Sequence, residues 1–242
     1  MRDTLDRLWI CFSVEERGEI PKRASTGQIG GFDFGLKTFL TSEQGCAYES
    51  PQFLRQELRT IRKMNRALSR KKVNSHNRQR AKRALARTHL RIADKREDHH
   101  YQLAHDLCDT YQATMFEDLS LAGMKALWGR KVSDLGFAQF LEIMKWVAFN
   151  PQGCPADKRG VIFGQCERFE RTTQKCSGCR CKQIVELRER VFHCQNEQCG
   201  LILDRDHNAA INILYAGASA CGLEVHQTPL GAALFEARSP SL

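Results

Sequence analysis

Phe192-His-Cys-Gln-Asn-Glu-Gln-Cys-Gly-Leu-Ile-Leu-Asp-Arg-Asp-His-Asn-Ala-Ala-Ile-Asn-Ile-Leu214 joins a cysteine knuckle directly to an Asp-rich helix start. Cys194 and Cys199 form the knuckle, and seven further positions reach Asp206. Upstream, Cys176-Ser-Gly-Cys179 supplies a second pair across a 14-residue connection. Four thiolates in two knuckles, each with a Gly inside or just after it, are a ligand set for tetrahedral zinc. A structural zinc ribbon is therefore expected, with Cys176, Cys179, Cys194 and Cys199 as ligands and Cys181 as a rival to Cys179. Buried or disulfide-linked cysteines are the competing explanation.

At 242 residues the chain can bury one substantial core and a small appended module. Its net charge of +9 favours a polyanionic partner. Between Met1 and Arg17 the apolar stretch Leu8–Phe12 is short and flanked by charges, unlike a signal peptide. No apolar run approaches membrane-spanning length, so no membrane partner is expected. The expected place is the cytoplasm, nucleoid-associated in a prokaryote, where reduced thiols more often bind metal than pair.

Trp9–Val14 reads as a strand, and Ile29–Leu40 as a stronger one that carries Asp33 and ends at the turn Ser42–Gly45. From Pro51 the period changes to that of a helix: Leu54, Leu58, Ile61, Met64 and Leu68 recur at three and four residue steps. A second helical run after Asn77 completes a helical hairpin. Gln52–Arg96 holds sixteen Lys or Arg against two acids, leaving −5 for the rest of the chain. A solvated helix face usually mixes both signs, whereas this one nearly excludes acids, which favours contact with phosphates. The candidate nucleic-acid contacts are Arg62, Lys63, Arg66, Arg70, Lys71, Lys72, Arg78, Arg80, Lys82 and Arg83. Few aromatics interrupt the run, so backbone tracking is expected rather than base stacking. Tyr111–Leu119 reads as a strand ending in acids, followed by a loop with Gly123 and Gly129, a helix over Phe137–Phe149, a short strand at Val161–Phe163 and a last helix over Asn208–Ala216. The tail after Gly217 shows no readable motif.

Three acids fall at telling places: Asp33 in the first strong strand, Glu117 at a strand end, Asp206 at a helix start. Alternating strands and helices of this order match an α/β, ribonuclease-H-like mixed sheet, in which acids from two strands and a terminal helix meet at one edge. Carboxylates select magnesium or manganese, and a pair of such ions can activate water and stabilise a leaving oxygen. Each acid also has a plain structural explanation: Asp33 would shape a turn, Glu117 would pair with an Arg, and Asp206 would cap its helix.

Gly31-Phe-Asp-Phe-Gly-Leu-Lys37, Phe116-Glu-Asp-Leu119 with Gly123-Met124, the two knuckles and Asp204–Ile213 resemble the TnpB (OrfB) proteins of insertion-sequence transposons. The resemblance runs in order from about Trp9 to Ala216. It implies a RuvC-type nuclease interrupted by a zinc ribbon, related to compact type V CRISPR effectors, with Asp33, Glu117 and Asp206 as the catalytic, magnesium-holding acids and Asp204 as a less favoured neighbour. It also implies DNA and a guide RNA as partners. The expected layout is a remnant N-terminal strand and linker (1–28), a first part of the nuclease core (29–50), the basic hairpin (51–110), a second part of the core (111–170), the zinc ribbon (171–203), the final catalytic helix (204–216) and a variable tail (217–242). Three departures stand out. The N-terminal region is shorter than the resemblance implies, the second knuckle is Cys-x4-Cys, and Phe32 and Phe34 replace the aliphatic residues common around the first Asp, which changes packing more than chemistry. The competing expectation is a truncated or repurposed nucleic-acid-binding derivative without cleavage activity.

Overall fold

Alternation along Ile29-Gly-Gly-Phe-Asp-Phe34 organises the core. In a strand, successive side chains point to opposite faces, so Phe32 and Phe34 share one face while Gly31 and Asp33 share the other. The computed structural model describes residues 10, 12, 26–149, 160–167, 170–186, 188–227 and 233–237. It shows β1 (Ile29–Phe34), β2 (Leu40–Ser42), β3 (Ala47–Tyr48), α1 (Phe53–Ser69), α2 (His76–Thr110), β4 (Ala113–Glu117), α3 (Leu121–Leu135), α4 (Phe137–Phe149), β5 (Ile162–Cys166), β6 (Val191–His193), β7 (Ile202–Asp204), α5 (Arg205–Ala220), β8 (Leu223–Gln227) and β9 (Ala233–Ala237).

Five strands form one mixed sheet in the order β3-β2-β1-β4-β5. β1, β4 and β5 run parallel, while β2 and β3 are antiparallel additions beside β1. This is the α/β, ribonuclease-H-like mixed sheet. One face is aromatic: Phe32 stacks on Phe116 at 5.2 Å, and Phe116 on Phe163 at 5.5 Å. Phe34 meets Phe137 of α4 edge-on at 5.0 Å. The buried α4 residues Phe137, Phe140, Met144 and Val147 close this side, with Leu103 and Leu107 of α2 in the same cluster. The other face is smoother and is covered by α5, whose Ile213, Leu214 and Ala218 pack with Ile29 and Met115. Its smoothness is a requirement, because a Cβ on Gly31 would lie 2.4 Å from the Ala210 carbonyl oxygen. Glycine at 31 therefore lets a helix backbone approach the central strand closely.

The chain divides into two units, one taking in Pro51–His100 and the other Lys22–Ser50 with Tyr101–Leu242. Within the first, α1 and the N-terminal part of α2, up to His100, form an antiparallel hairpin around buried Ile61 and Ile92. Thr88 Oγ1 lies 3.5 Å from Met64 Sδ, and Arg78 Nη1 donates to the carbonyls of Leu68 (2.9 Å) and Lys71 (3.2 Å). Asn74 takes a left-handed φ of 62° in the turn, and Ser75 Oγ accepts from Arg78 N–H at 3.2 Å at the helix start.

Three expectations need correction. Ile29–Leu40 is two strands rather than one: Gly35 N–H reaches back to Phe39 O at 3.3 Å and folds the chain into a hairpin. The segment with Gly123 and Gly129 is helix α3, kinked at Gly129 (φ 37°), because the surrounding Leu, Val and Ala tolerate a helix that two glycines only weaken. The tail carries an antiparallel pair, β8 with β9. The strand expected at Trp9–Val14 lies outside the described residues apart from Ile10 and Phe12, both exposed.

Candidate active site and zinc ribbon

The sheet register brings the two strand acids side by side. Phe32 is opposite Phe116 in the parallel β1–β4 pair, so one residue further Asp33 comes beside Glu117. Asp33 is also opposite Thr41 of β2, and Glu117 opposite Cys166 of β5. The result is a row across the sheet, Thr41, Asp33, Glu117 and Cys166, on the face that α5 covers. Asp206, Ala210 and Leu214 repeat at four-residue steps and share one side of α5. Ala210 and Leu214 press on Gly31, two residues before Asp33, so Asp206 extends that contact line one turn further.

Electrostatics carries the signature of this grouping. Burial, then the charges of Glu117 and Asp206, push the Asp33 carboxyl well above the usual carboxylate range, against the opposing pull of Arg205. Glu117 is raised by burial and by Asp118. Asp206 is not the helix cap: Asp204 Oδ1 accepts from the N–H groups of Asp206 (2.9 Å) and His207 (3.2 Å). The Asp206 carboxylate instead pairs with Arg205 Nη2 at 3.3 Å and Arg190 Nη1 at 3.7 Å. A cleft of about 370 Å³ opens beside it, lined among others by Lys37, Thr41, Arg190 and His207.

The zinc-type cluster is tighter. Among the described residues, the set of three or more His, Cys, Asp or Glu with ligand atoms all within 4.8 Å of one another is Cys176, Cys179, Cys194 and Cys199. The three acids form a looser group. Cys176 Sγ and Cys199 Sγ are 3.8 Å apart, and Cys179 Sγ and Cys194 Sγ 3.5 Å. A zinc–sulfur bond of about 2.3 Å implies a tetrahedron edge of about 3.8 Å, so the four sulfurs fit zinc. Cys181 stands exposed outside the cluster. Both knuckles end on a left-handed residue after their second cysteine, Arg180 (φ 64°) and Gly200 (φ 58°). The strands β6 and β7 pair antiparallel and lead straight into α5.

Of the ten basic hairpin candidates, Arg62, Lys63, Arg66, Arg70, Lys72, Arg80, Lys82 and Arg83 are exposed, while Lys71 and Arg78 are half-buried. Arg78 already spends its guanidinium on the turn carbonyls. No helix among the described residues is long and apolar enough to cross a membrane.

Sequence reading passed over several residues. Glu43 is buried, accepts Gly31 N–H at 3.0 Å on Oε2, and is pushed up by burial to about 7. Its carbonyl accepts from His207 Nε2 at 2.8 Å, tying the β2–β3 turn to the start of α5. Asn208 and Asn212 are likewise buried and hold ribbon backbone. Their i, i+4 spacing on an otherwise apolar helix was the available signal.

Residues 10–127 match the OrfB_IS605 family model, described as "Probable transposase", and residues 154–213 match the Cas12f1-like TNB domain. A protein of Streptomyces pristinaespiralis named "Putative RNA-guided DNA endonuclease" is 30% identical over 228 residues, covering 91% of this chain and 53% of that protein. The "TnpB-like protein L79" of Acanthamoeba polyphaga mimivirus is 28% identical over 204 residues, covering 77% of this chain and 37% of its own length. The chain thus spans about half or less of the curated relatives it matches. A chain of the cryo-EM structure of the Cas12f1-sgRNA-target DNA complex covers 81% of this chain, and 51% of itself, at 16% identity and a TM-score of 0.49.

Proposed function

As the chain belongs to the TnpB/OrfB family of IS605-type, transposase-associated proteins, we propose that it is an RNA-guided DNA endonuclease whose cutting site is Asp33, Glu117 and Asp206. The observation that carries this reading is the row of Asp33 beside Glu117 under the first turn of α5, where the charges of Glu117 and Asp206 both bear on Asp33. Such mutual repulsion costs stability, and a divalent cation relieves it. The oxygen donor set suits magnesium or manganese, which when bound would polarise the phosphodiester and lower the pKa of an attacking water.

The chain's own residues do the rest. Asp33 and Glu117 fix two carboxylates on rigid strands, and Asp206 supplies a third from the helix. Arg190 and Arg205 neutralise Asp206 until a cation competes for it. Lys37 and Arg190 rim the adjoining cleft, where they would attract a phosphate. The hairpin cations hold nucleic-acid backbone, and base pairing with a guide RNA supplies sequence choice. Zinc stays in the ribbon as a structural ion.

Purified protein with co-expressed RNA and magnesium should cleave DNA, and Asp33→Ala or Asp206→Ala should abolish cleavage while leaving binding nearly intact. A second reading, a binding protein without cleavage, draws on the arginine pairing of Asp206. Equal inactivity of wild type and variants, with nucleic acid still bound, would establish that reading instead.

A further inference from the structure

Two buried asparagines fasten the zinc knuckle to the helix that carries Asp206. Asn208 Nδ2 donates to the Lys175 carbonyl at 2.9 Å, and Asn208 Oδ1 accepts from Ser177 N–H at 2.9 Å. One turn later, Asn212 Nδ2 donates to the carbonyls of Thr172 (2.8 Å) and Lys175 (2.6 Å). These contacts bracket Cys176 on both sides. Asn208 is 0% and Asn212 3% exposed, so each lost partner would leave a buried polar group unsatisfied. Arg180, directly after Cys179, completes the contact: its guanidinium bonds Asn212 Oδ1 at 3.0 Å and lies 4.4 Å from the Tyr215 ring centre. Arg180 holds a left-handed φ that a non-glycine residue adopts at a cost, and the knuckle imposes it.

The ribbon grips α5 from its other end too. β7 runs directly into the Asp204 cap, and Arg205 N–H donates to the Arg190 carbonyl at 2.8 Å. The four cysteines come from both grips: Cys176 and Cys179 from the first, Cys194 and Cys199 from the second. A tetrahedral ion that closes those sulfurs therefore fixes two attachments of one helix relative to each other.

We infer that Asn208, Asn212 and Arg180 are positioning residues that form a latch, transmitting the metal state of the ribbon to α5 and hence to Asp206. The inference rests on the proposed role of Asp206 only in its last step. The latch makes the acidic site responsive to zinc although zinc takes no part in cleavage. By linkage, the coupling is reciprocal: an ion held by the acids tightens the ribbon's hold on zinc.

Hydrogen–deuterium exchange on the full chain, zinc-loaded and after chelation, tests the latch. In the wild type, zinc removal should speed exchange of the amides in 206–214 by at least about tenfold, the scale of one or two lost hydrogen bonds, while the amides of β4 stay unchanged. In Asn208→Leu/Asn212→Leu, which keeps only the attachment through β7 and Asp204, exchange in 206–214 should respond to zinc clearly less than in the wild type. An unresponsive wild type, or a double variant with the full wild-type response, overturns the latch. Should the double variant fail to fold, Arg180→Ala decides the matter, since it alters an exposed side chain and should show a clearly reduced response; a full response there also refutes it. Manganese titration by electron paramagnetic resonance separates the two readings. Manganese affinity should fall on zinc removal in the wild type and fall clearly less in the double variant. Failure to bind manganese at all would sink the acidic metal site while leaving the exchange result to judge the latch.

Discussion

Replacing Glu43 by Gln should stabilise the protein at high pH and leave it nearly unchanged in acid. The carboxyl is buried, and burial pushes it from an ordinary value of 4.5 up to about 7 even though Gly31 N–H favours the charged form. The native state thus holds the proton more tightly than the unfolded chain. The stability this contributes is complete below about pH 4.5 and is lost as pH rises through about 7. A displacement of about 2.5 units at about 1.4 kcal/mol each corresponds to roughly 3 kcal/mol across that window. Glutamine mimics the protonated carboxyl, stays neutral at every pH and can still accept the Gly31 N–H through its amide oxygen. Urea unfolding of wild type and Glu43→Gln at several pH values from about 5 to about 8 measures the difference directly, and other titrating groups cancel between the two proteins. The variant should gain on the wild type by a few kcal/mol as pH rises, nearly all of it before about pH 7.5. A difference that stays flat with pH, or a variant that loses ground in alkali, would show that Glu43 is not held protonated by its surroundings.

Asp33→Asn should raise the thermal midpoint of the metal-free protein as pH rises, because it replaces a buried carboxyl whose ionised form is disfavoured by burial and by the charges of Glu117 and Asp206, while abolishing cleavage; a lowered midpoint would contradict the crowding of the acids. Gly31→Ala should cost about 3 kcal/mol by chemical denaturation, since the new methyl would collide with the Ala210 backbone rather than a flexible side-chain tip, and near-neutrality would mean that α5 sits farther from β1. Neutralising Lys63, Arg66 and Arg70 together should weaken binding uniformly across DNA sequences and flatten the slope of log K against log salt by about 2 to 3, and an unchanged slope would remove these residues from the interface. Zinc chelation should open Cys176–Cys199 to proteolysis before the sheet, and simultaneous cleavage throughout would show that ribbon and core unfold as one.

The parts legible in the sequence were those written in local periodicity or fixed spacing. The cysteine knuckles, the helical stripe from Leu54 to Leu68 and the Phe137–Phe149 helix are of this kind. Asp33 and Glu117 stood out because each lies in a strand pattern, yet their adjacency depends on a parallel pairing between segments about eighty residues apart, which no local pattern specifies. The bend at Gly35–Phe39 was hidden because Leu36 and Phe39 continue the apolar pattern through it, Phe39 buried in the aromatic cluster and Leu36 packed partly buried against it. Helix α3 was hidden for the opposite reason: its two glycines read as punctuation, although one merely kinks it. The sequence offered Asp206 both as a helix cap and as a catalytic acid, and only backbone geometry, which gives the cap to Asp204, separates the two. Glu43 looked like a polar turn residue; its burial follows from the turn folding back on Gly31.

The two-sidedness of β1 has an evolutionary and engineering consequence. Phenylalanines at even positions and Gly31 and Asp33 at odd ones divide a single strand between two faces, one packed in the aromatic cluster and the other against α5. Volume-preserving changes among Phe32, Phe34, Phe116 and Phe140 can therefore raise or lower robustness while the carboxylates keep their spacing. A single-residue insertion or deletion in this strand is another matter, because it would exchange the two sets at once, driving a carboxylate into the aromatic layer and a benzyl group against α5. Volume-preserving substitution of the even-numbered aromatics is thus tolerated while length change is ruinous, so relatives should vary in those aromatics and never in the number of residues between Ile29 and Phe34.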